Sequence, residues 1–219
     1  MQQRPIYLLS PTVQEGTLSL PMITFTTVAK RIDFSCCDTL MFTSKQAVKV
    51  ADTIDKRWKK YPCIAIGGAT KKQIEALGGE VIYYPSHFYG ESLAQDIMRF
   101  FSGRRLLYLR PETVSFDSKA FLEKEGITLH EQVIYRTSCI TYTQKDAPPA
   151  GAIIIFTSPS TIHCFLKSFR WDESYTAVVI GEATKVHLPD NAHYKVADKP
   201  LISACIAKAE EILLSSNSK

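Results

Sequence analysis

The chain contains an internal duplication. Residues 38–71 align without a gap with residues 152–185, at a constant separation of 114 residues. Nine of the 34 aligned positions are identical, whereas average amino-acid usage gives about two by chance. Both copies carry the motifs Phe-Thr-Ser and Ile-Gly-x-Ala-Thr-Lys. We therefore expect two units of the same architecture, because each copy dictates the same local structure.

Each copy alternates short apolar runs with helical stretches. The first run ends in Thr-Ser, the residue type that caps the start of a helix. A second run ends at Ile-Gly, and a Thr opens the next helix. A third strand and an amphipathic helix complete the unit, the helix at residues 91–101 in the first copy and 201–214 in the second. Strands and helices in alternation predict an α/β fold with parallel sheets and helices on both faces.

The two copies differ in the elements on their C-terminal side. The first continues through a strand, a helix and another strand as far as residue 135, whereas the second has no further strand after its last helix. We expect residues 6–9 to supply the strand that the second copy lacks, which makes that domain discontinuous. The predicted domains are residues 1–33 plus 140–219 and residues 38–135, joined by two extended connectors near residues 31–37 and 135–143.

The strand ends carry the candidate binding groups. Open α/β sheets bind ligands beyond the carboxyl ends of their strands, so we expect a cleft between the two domains. Helix N-termini there offer unpaired N–H groups and a positive dipole end to a carboxylate or phosphate. The candidates are Ser44, Thr70, Ser158 and Thr184, with Arg110 at the end of another strand. The alternative is that the four hydroxyl residues are plain helix caps.

Other classes of function find no support in the sequence. The composition, 45% hydrophobic and 22% charged, is that of a globular protein. A net charge of +4 suits an anionic small molecule but not nucleic acid. There is no dinucleotide fingerprint and no P-loop, and the histidines lack metal-ligand spacing. We expect no metal and no nucleotide cofactor.

The cysteines and the N-terminal residues indicate the compartment. The six cysteines form no Cys-x-x-Cys pair and lie mostly in apolar runs, so we expect them to be reduced, buried thiols. No signal sequence core and no apolar run of 18 residues is present. We expect a cytoplasmic protein without a membrane partner, and a monomer, since nothing indicates an obligate interface.

Several short motifs occur in a fixed order with near-constant spacing. They are Phe-Thr-Ser at 42–44 and Phe-Thr-Ser-Pro-Ser at 156–160, Ile-Gly-x-Ala-Thr at 66–70 and 180–184, Val-Ile-Tyr-Arg-Thr at 133–137 and Ala-Asp-Lys-Pro at 197–200. In this order the sequence resembles the uroporphyrinogen-III synthase family over essentially its whole length. The resemblance implies two α/β domains joined by two extended connectors.

The resemblance also implies a reaction and its residues. Linear hydroxymethylbilane would lose water, its last pyrrole ring would be inverted, and the macrocycle would close as uroporphyrinogen III. Tyr135 matches a family tyrosine and is the candidate for assisting loss of water; its alternative role is packing in the strand. The residues implied to hold the carboxylates of the substrate are Thr43, Ser44, Thr70, Thr157, Ser158, Ser160 and Thr184.

The chain departs from the family pattern at two places. Family members often carry Thr-Arg-Pro after the first strand, where this chain has Ser10-Pro11, and often a Thr where Leu201 follows the closing proline. These departures remove a possible cation and a hydroxyl from the substrate site. The competing interpretations are a non-catalytic two-domain sensor or carrier for an anionic small molecule, and an inactive relative that keeps only the fold.

Overall fold

The computed structural model describes residues 4–85 and 89–217, and the strands of this part of the chain form a five-stranded and a six-stranded sheet. No helix within the same residues is long and apolar enough to cross a membrane. In chain order the elements are β1 (Ile6–Leu8), β2 (Leu18–Ser19), β3 (Ile23–Thr27), β4 (Thr39–Phe42), α1 (Lys45–Ile54), a 3-10 helix (Lys56–Lys60), β5 (Pro62–Ala65), α2 (Gly68–Ala76), β6 (Glu80–Tyr83), α3 (Gly90–Phe100), β7 (Leu106–Pro111), α4 (Ser118–Lys124), β8 (Leu129–Cys139), a 3-10 helix (Gln144–Asp146), β9 (Ile153–Phe156), α5 (Pro159–Ser168), β10 (Thr176–Val179), α6 (Glu182–Lys185), β11 (His193–Val196) and α7 (Ile202–Asn217).

The six-stranded sheet has the order β3-β8-β7-β4-β5-β6. Its strands from β8 to β6 pair in parallel. Successive side chains of a strand point to opposite faces, and both faces here are apolar. Leu40 and Phe42 pack in one cluster with Val48 and Trp58, and Met41 packs in another with residues of α3 and α4. The sheet is therefore covered on both sides, as the sequence predicts for a parallel α/β sheet.

The five-stranded sheet has the order β11-β10-β9-β1-β2, and all of its neighbouring strands are parallel. Strand β1 lies between β9 and β2, so the N-terminal residues supply the strand that the second copy lacks, as predicted. Ile6, Ile153 and Val178 pack on one face against Cys205 and Ala209 of α7.

The duplication is confirmed residue by residue. Strands β4 and β9, helices α1 and α5, and strands β5 and β10 each begin and end 114 residues apart. The two glycines that precede α2 and α6, Gly67 and Gly181, have nearly identical extended backbone angles. The two copies therefore have the same local structure at the carboxyl ends of their central strands.

The chain divides into two compact units, Met1–Thr24 with Ser138–Lys219 and Phe25–Thr137. The sequence instead predicts that residues 25–33 belong to the first of these and that a connector lies near 31–37. Strand β3 explains the difference: it is the neighbour of β8, and the Val28 N–H beyond its end donates to the Ile134 carbonyl. Ile32 and Cys37 are buried in the core of the second unit. Residues 31–37 thus lie inside that unit.

The expectation that all six cysteines are reduced is wrong for two of them. Cys139 at the end of β8 and Cys164 in α5 form a disulfide, with Cα atoms 5.2 Å apart. Their separation of 25 residues matches no local cysteine motif, so the pair becomes visible only when β8 ends beside α5. Cys37, Cys63 and Cys205 are free and buried, and Cys36 is free and half-buried.

Gly79 provides a test of how tightly the second unit is packed. A Cβ atom at this position would lie 2.6 Å from Trp58 Cη2 and 2.9 Å from Ile74 Cγ2, and both side chains are fully buried. We expect Gly79→Ala to lower the free energy of unfolding by about 1–3 kcal/mol in urea denaturation, because neighbouring backbone and side chains must shift.

Gly103→Ala is the matched control. Among the described residues beyond its chain neighbours, no atom lies within 4 Å of a Cβ placed there. We expect its free energy of unfolding to stay within about 0.5 kcal/mol of that of the unchanged chain. Equal urea midpoints for the two variants would contradict the packing described for Trp58.

The disulfide predicts a thiol count. Unfolded without reductant after purification in air, the chain should react with a thiol reagent at the four free cysteines, and at six after reduction. Six reactive thiols without reductant would contradict the pairing.

Replacing Cys139 and Cys164 by serine should lower the free energy of unfolding of the oxidised chain by about 3 kcal/mol, and should have little effect on the reduced chain.

Candidate functional site

Ser44 and Ser158 begin the two equivalent helices. The Ala47 N–H donates to Ser44 Oγ at 3.0 Å at the start of α1. The Thr161 N–H donates to Ser158 Oγ at 3.3 Å at the start of α5, where Thr161 Oγ1 in turn accepts from the Ser158 N–H. Both serines are therefore helix caps, which is the structural alternative to a role in binding.

Ser44 makes a second contact that Ser158 does not make among the described residues. The hydroxyl oxygens of Ser44 and Tyr135 lie 2.9 Å apart. Tyr135, in the middle of β8 and paired with Pro111 at the end of β7, is only 4% exposed, and its ring packs edge-on against Phe25 of β3. The structure thus brings together two of the predicted site residues, one from the duplicated motif and one from the strand outside the duplication.

A second hydroxyl pair lies beside the first. Thr43 Oγ1 is 2.6 Å from the hydroxyl oxygen of Tyr108, a residue of β7 that is 2% exposed. Tyr108 is absent from the sequence-based candidates because it lies in the apolar run of residues 106–109 and has the pattern of a core residue. The available signal is its position: Tyr108 pairs with Met41, two residues before Thr43.

Burial controls the protonation of both phenols. The pKa of Tyr108 is raised to about 12, chiefly by burial; the hydrogen bond with Thr43 opposes this effect and the nearby Tyr135 adds to it. Burial also raises the pKa of Tyr135, and the hydrogen bond with Ser44 acts in the opposite direction. Both hydroxyls are therefore protonated at neutral pH, and they are proton donors rather than bases.

Arg110 already has partners within the second unit. Its Nε lies 3.1 Å from Glu131 Oε2 in an ion pair, although this nitrogen has no hydrogen-bond partner among the described residues. Its Nη1 donates to the carbonyl oxygens of Pro111 and Glu112. The guanidinium is mostly buried and its charge is balanced by Glu131, so a substrate carboxylate would compete with that ion pair.

Thr70 and Thr184 occupy equivalent places in α2 and α6. Their backbone N–H groups donate to Gly67 and Gly181, and the two residues are 4% and 3% exposed. Thr70 follows the carboxyl end of β5 and Thr184 that of β10. Their hydroxyls are therefore candidate donors to a ligand at the strand ends.

The first unit places its remaining candidates at one edge of its sheet. Thr157 is half-buried and Ser160 is exposed; both follow β9, and Thr184 follows the neighbouring parallel strand β10. Because the carboxyl ends of parallel strands meet at one edge, these hydroxyls and Ser158 lie at the same edge of the sheet. In the second unit Thr43, Ser44 and Thr70 likewise follow the neighbouring strands β4 and β5.

No group of three or more histidine, cysteine or carboxylate side chains within residues 4–85 and 89–217 is arranged to hold a metal ion. A cavity of about 410 Å³ in the second unit is lined by Asp33, Cys36, Leu107, Lys119, His130, Glu131 and Gln132. None of these is a predicted site residue, so the candidate site is defined by the strand-end hydroxyls rather than by this cavity.

The buried phenol of Tyr108 predicts a loss of stability at alkaline pH. Between pH 10 and 12 the unfolded chain loses this proton and the folded chain keeps it, so the free energy of unfolding falls as the pH rises. We expect Tyr108→Phe to reduce that fall by up to about 1.4 kcal/mol per pH unit, measured by urea denaturation across this range. Identical slopes for the two proteins would contradict the burial of the hydroxyl.

Comparisons with known proteins agree on one family. The family model HEM4, described as uroporphyrinogen-III synthase HemD, matches residues 15–207. The uroporphyrinogen-III synthase of Synechococcus elongatus is 29% identical over 187 residues, covering 79% of this chain and 70% of that protein.

Solved structures share the fold. The crystal structure of uroporphyrinogen-III synthetase from Helicobacter pylori superposes with a TM-score of 0.79 at 24% identity, covering 95% of this chain and 99% of that one. A mutant uroporphyrinogen III synthase from Thermus thermophilus gives a TM-score of 0.62 at 10% identity, covering 97% and 99%. The family model spans most of the 219 residues, and the chain therefore belongs to the uroporphyrinogen-III synthase family.

Proposed function

We propose that the chain converts hydroxymethylbilane to uroporphyrinogen III, a lyase reaction that removes water, inverts ring D and closes the macrocycle. The observation that carries the proposal is the Tyr135 hydroxyl, 2.9 Å from Ser44 Oγ at the carboxyl end of β4. Together with membership of the family, it provides a protonated phenol at the edge of the sheet where open α/β folds bind ligands.

In this proposal Tyr135 is the general acid of the first step. Its hydroxyl donates a proton to the terminal hydroxyl of hydroxymethylbilane as the carbon–oxygen bond breaks, so the products of the step are water, an azafulvene cation and a phenolate. The substituted carbon of ring D then attacks the cation, and a spiro intermediate fragments and recloses. The proton lost on final ring closure returns to the phenolate, so the enzyme is regenerated without a cofactor.

Strand-end hydroxyls would hold the eight carboxylates of the substrate. Thr70 and Thr184 are proposed first for this role, because each lies just beyond the carboxyl end of a parallel strand, β5 or β10. Thr157, Ser158 and Ser160 would add donors at the start of α5, where the helix dipole favours an anion. Thr43 and Ser44 already contact tyrosines, so a substrate carboxylate would share these hydroxyls.

Arg110 remains a proposed carboxylate partner, but only through exchange with Glu131 at 3.1 Å. Such an exchange would leave Glu131 without its cation, which is costly for a mostly buried carboxylate.

We propose that the chain acts as a cytoplasmic monomer. The reaction needs one acid and an ordered substrate. Holding the flexible linear tetrapyrrole in the conformation that inverts ring D supplies most of the rate enhancement and of the product selectivity.

The isomer of the product tests the function. Freshly generated hydroxymethylbilane, which closes spontaneously without inversion, is added to the purified chain, and the type I and type III uroporphyrins are separated after oxidation. We expect type III above the control without enzyme. Type I alone would overturn the proposal, and retained binding of the linear tetrapyrrole in that case would favour the non-catalytic sensor or carrier.

The role of Tyr135 is tested by Tyr135→Phe. We expect kcat for type III formation to fall roughly 100-fold without being abolished, because general acid catalysis contributes only part of the rate enhancement. Tyr175→Phe is the matched control, since Tyr175 is also buried and its hydroxyl donates to the Pro148 carbonyl, away from the predicted site residues. Equal activities for the two variants would show that Tyr135 has a packing role.

A further inference from the structure

We propose that Ser44 is a positioning residue that holds the Tyr135 hydroxyl as a proton donor and stabilises the phenolate left when that proton is transferred. This inference rests on the proposed function and changes the role of Ser44 within it. Ser44 would act through Tyr135 rather than by holding a substrate carboxylate.

The hydrogen bonds of Ser44 allow its hydroxyl to donate to Tyr135, the direction that the proposal requires. A serine hydroxyl has one proton and two lone pairs. One lone pair of Ser44 Oγ accepts from the Ala47 N–H at 3.0 Å, which leaves its proton available to Tyr135 Oη at 2.9 Å. When Ser44 donates, the proton of Tyr135 is free for a substrate, and the N–H, the serine and the phenol are polarised in the same direction.

The surroundings of Tyr135 give this hydrogen bond its importance. Burial disfavours a phenolate, and among the described residues no charged group offsets this effect on the pKa of Tyr135; the contacts of its ring and hydroxyl are with Phe25 of β3 and with Ser44, which precedes α1. Tyr108 on β7 is the titratable group whose pKa responds to Tyr135, and burial keeps it protonated too. The Ser44 hydroxyl, backed by the N-terminus of the ten-residue helix α1, is therefore the group placed to stabilise the phenolate.

The duplication separates the capping role from the positioning role. Ser158 is the equivalent cap 114 residues later and has the same extended backbone. Its described partners belong to Thr161 alone. A cap therefore does not require a tyrosine, and the contact with Tyr135 is an addition that only one copy carries in the described part of the chain.

The test combines Ser44 and Tyr135 variants. Ser44→Ala and Ser44→Gly remove the hydroxyl, and glycine retains most of the capping preference if alanine impairs folding. Ser44→Thr keeps the hydroxyl. Asp117→Ala is the control for loss of a cap in the same unit, since Asp117 Oδ1 accepts from the Ala120 N–H at 2.9 Å and makes no tyrosine contact within the part of the chain that the structure describes. Each Ser44 variant is made with and without Tyr135→Phe.

We expect Ser44→Ala and Ser44→Gly to lower kcat for type III formation roughly tenfold without raising KM. Ser44→Thr should restore the rate, and Asp117→Ala should leave it unchanged. In the Tyr135→Phe background the Ser44 substitutions should have no further effect, because the residue through which they act is gone. If the losses of kcat caused by the Ser44 substitutions and by Tyr135→Phe multiply in the double variants, the inference is overturned. A raised KM with unchanged kcat in the Ser44 variants would also overturn it, and would indicate that Ser44 contacts the substrate directly.

A spectroscopic measurement separates this inference from the proposed function. Tyrosine labelled with 13C at the ring carbon bearing the hydroxyl is titrated by NMR, and Tyr135→Phe assigns the signal. We expect Ser44→Ala to raise the pKa of Tyr135 and Asp117→Ala to leave it unchanged. If the chain forms no type III product, the proposed function fails, whereas an unchanged pKa in Ser44→Ala overturns the positioning role even in an active enzyme.

Discussion

The burial of the two central strands is the constraint on which the rest of the structure depends. Every residue of β4 and of β9 is buried, so each strand must have neighbours on both sides and helices on both faces. Such a strand has no side chain left for a ligand along its length. Polar groups can reach a substrate only where the strand ends, and both copies have Thr and Ser there.

Hydrogen bonding explains why these polar groups occur as pairs. A buried hydroxyl without a partner costs about 1–3 kcal/mol, and Tyr108 and Tyr135 are each almost fully buried. Thr43 and Ser44 supply the partners from two successive residues. The two tyrosines belong to core clusters that contain Met41 on one side and Leu40 with Phe42 on the other. Phenols from both faces of the sheet therefore meet the same turn.

The two copies have kept the scaffold and diverged at its strand ends. Ser44 and Ser158 cap equivalent helices in both units, but the second unit alone has β7 and β8 beside its copy of the motif. These strands supply Tyr108, Tyr135 and the Arg110–Glu131 pair. In the first unit, β1 and β2 take the neighbouring places. The proposed acid chemistry thus belongs to one copy, while the hydroxyls suited to carboxylates occur in both.

Short-range patterns in the sequence are sufficient to predict the local elements. The repeat, the buried strands, the serine caps and the N-terminal strand follow from short-range patterns of apolar and capping residues, and the order of the motifs indicated the family. Folding brings together the pairs that lie far apart in the chain: Ser44 with Tyr135 across 91 residues, Thr43 with Tyr108 across 65, and Cys139 with Cys164 across 25. It also placed residues 25–33 in the second unit, through the position of β3 beside β8. Periodicity reports which face of an element is buried, but only the folded chain determines which polar atoms meet there.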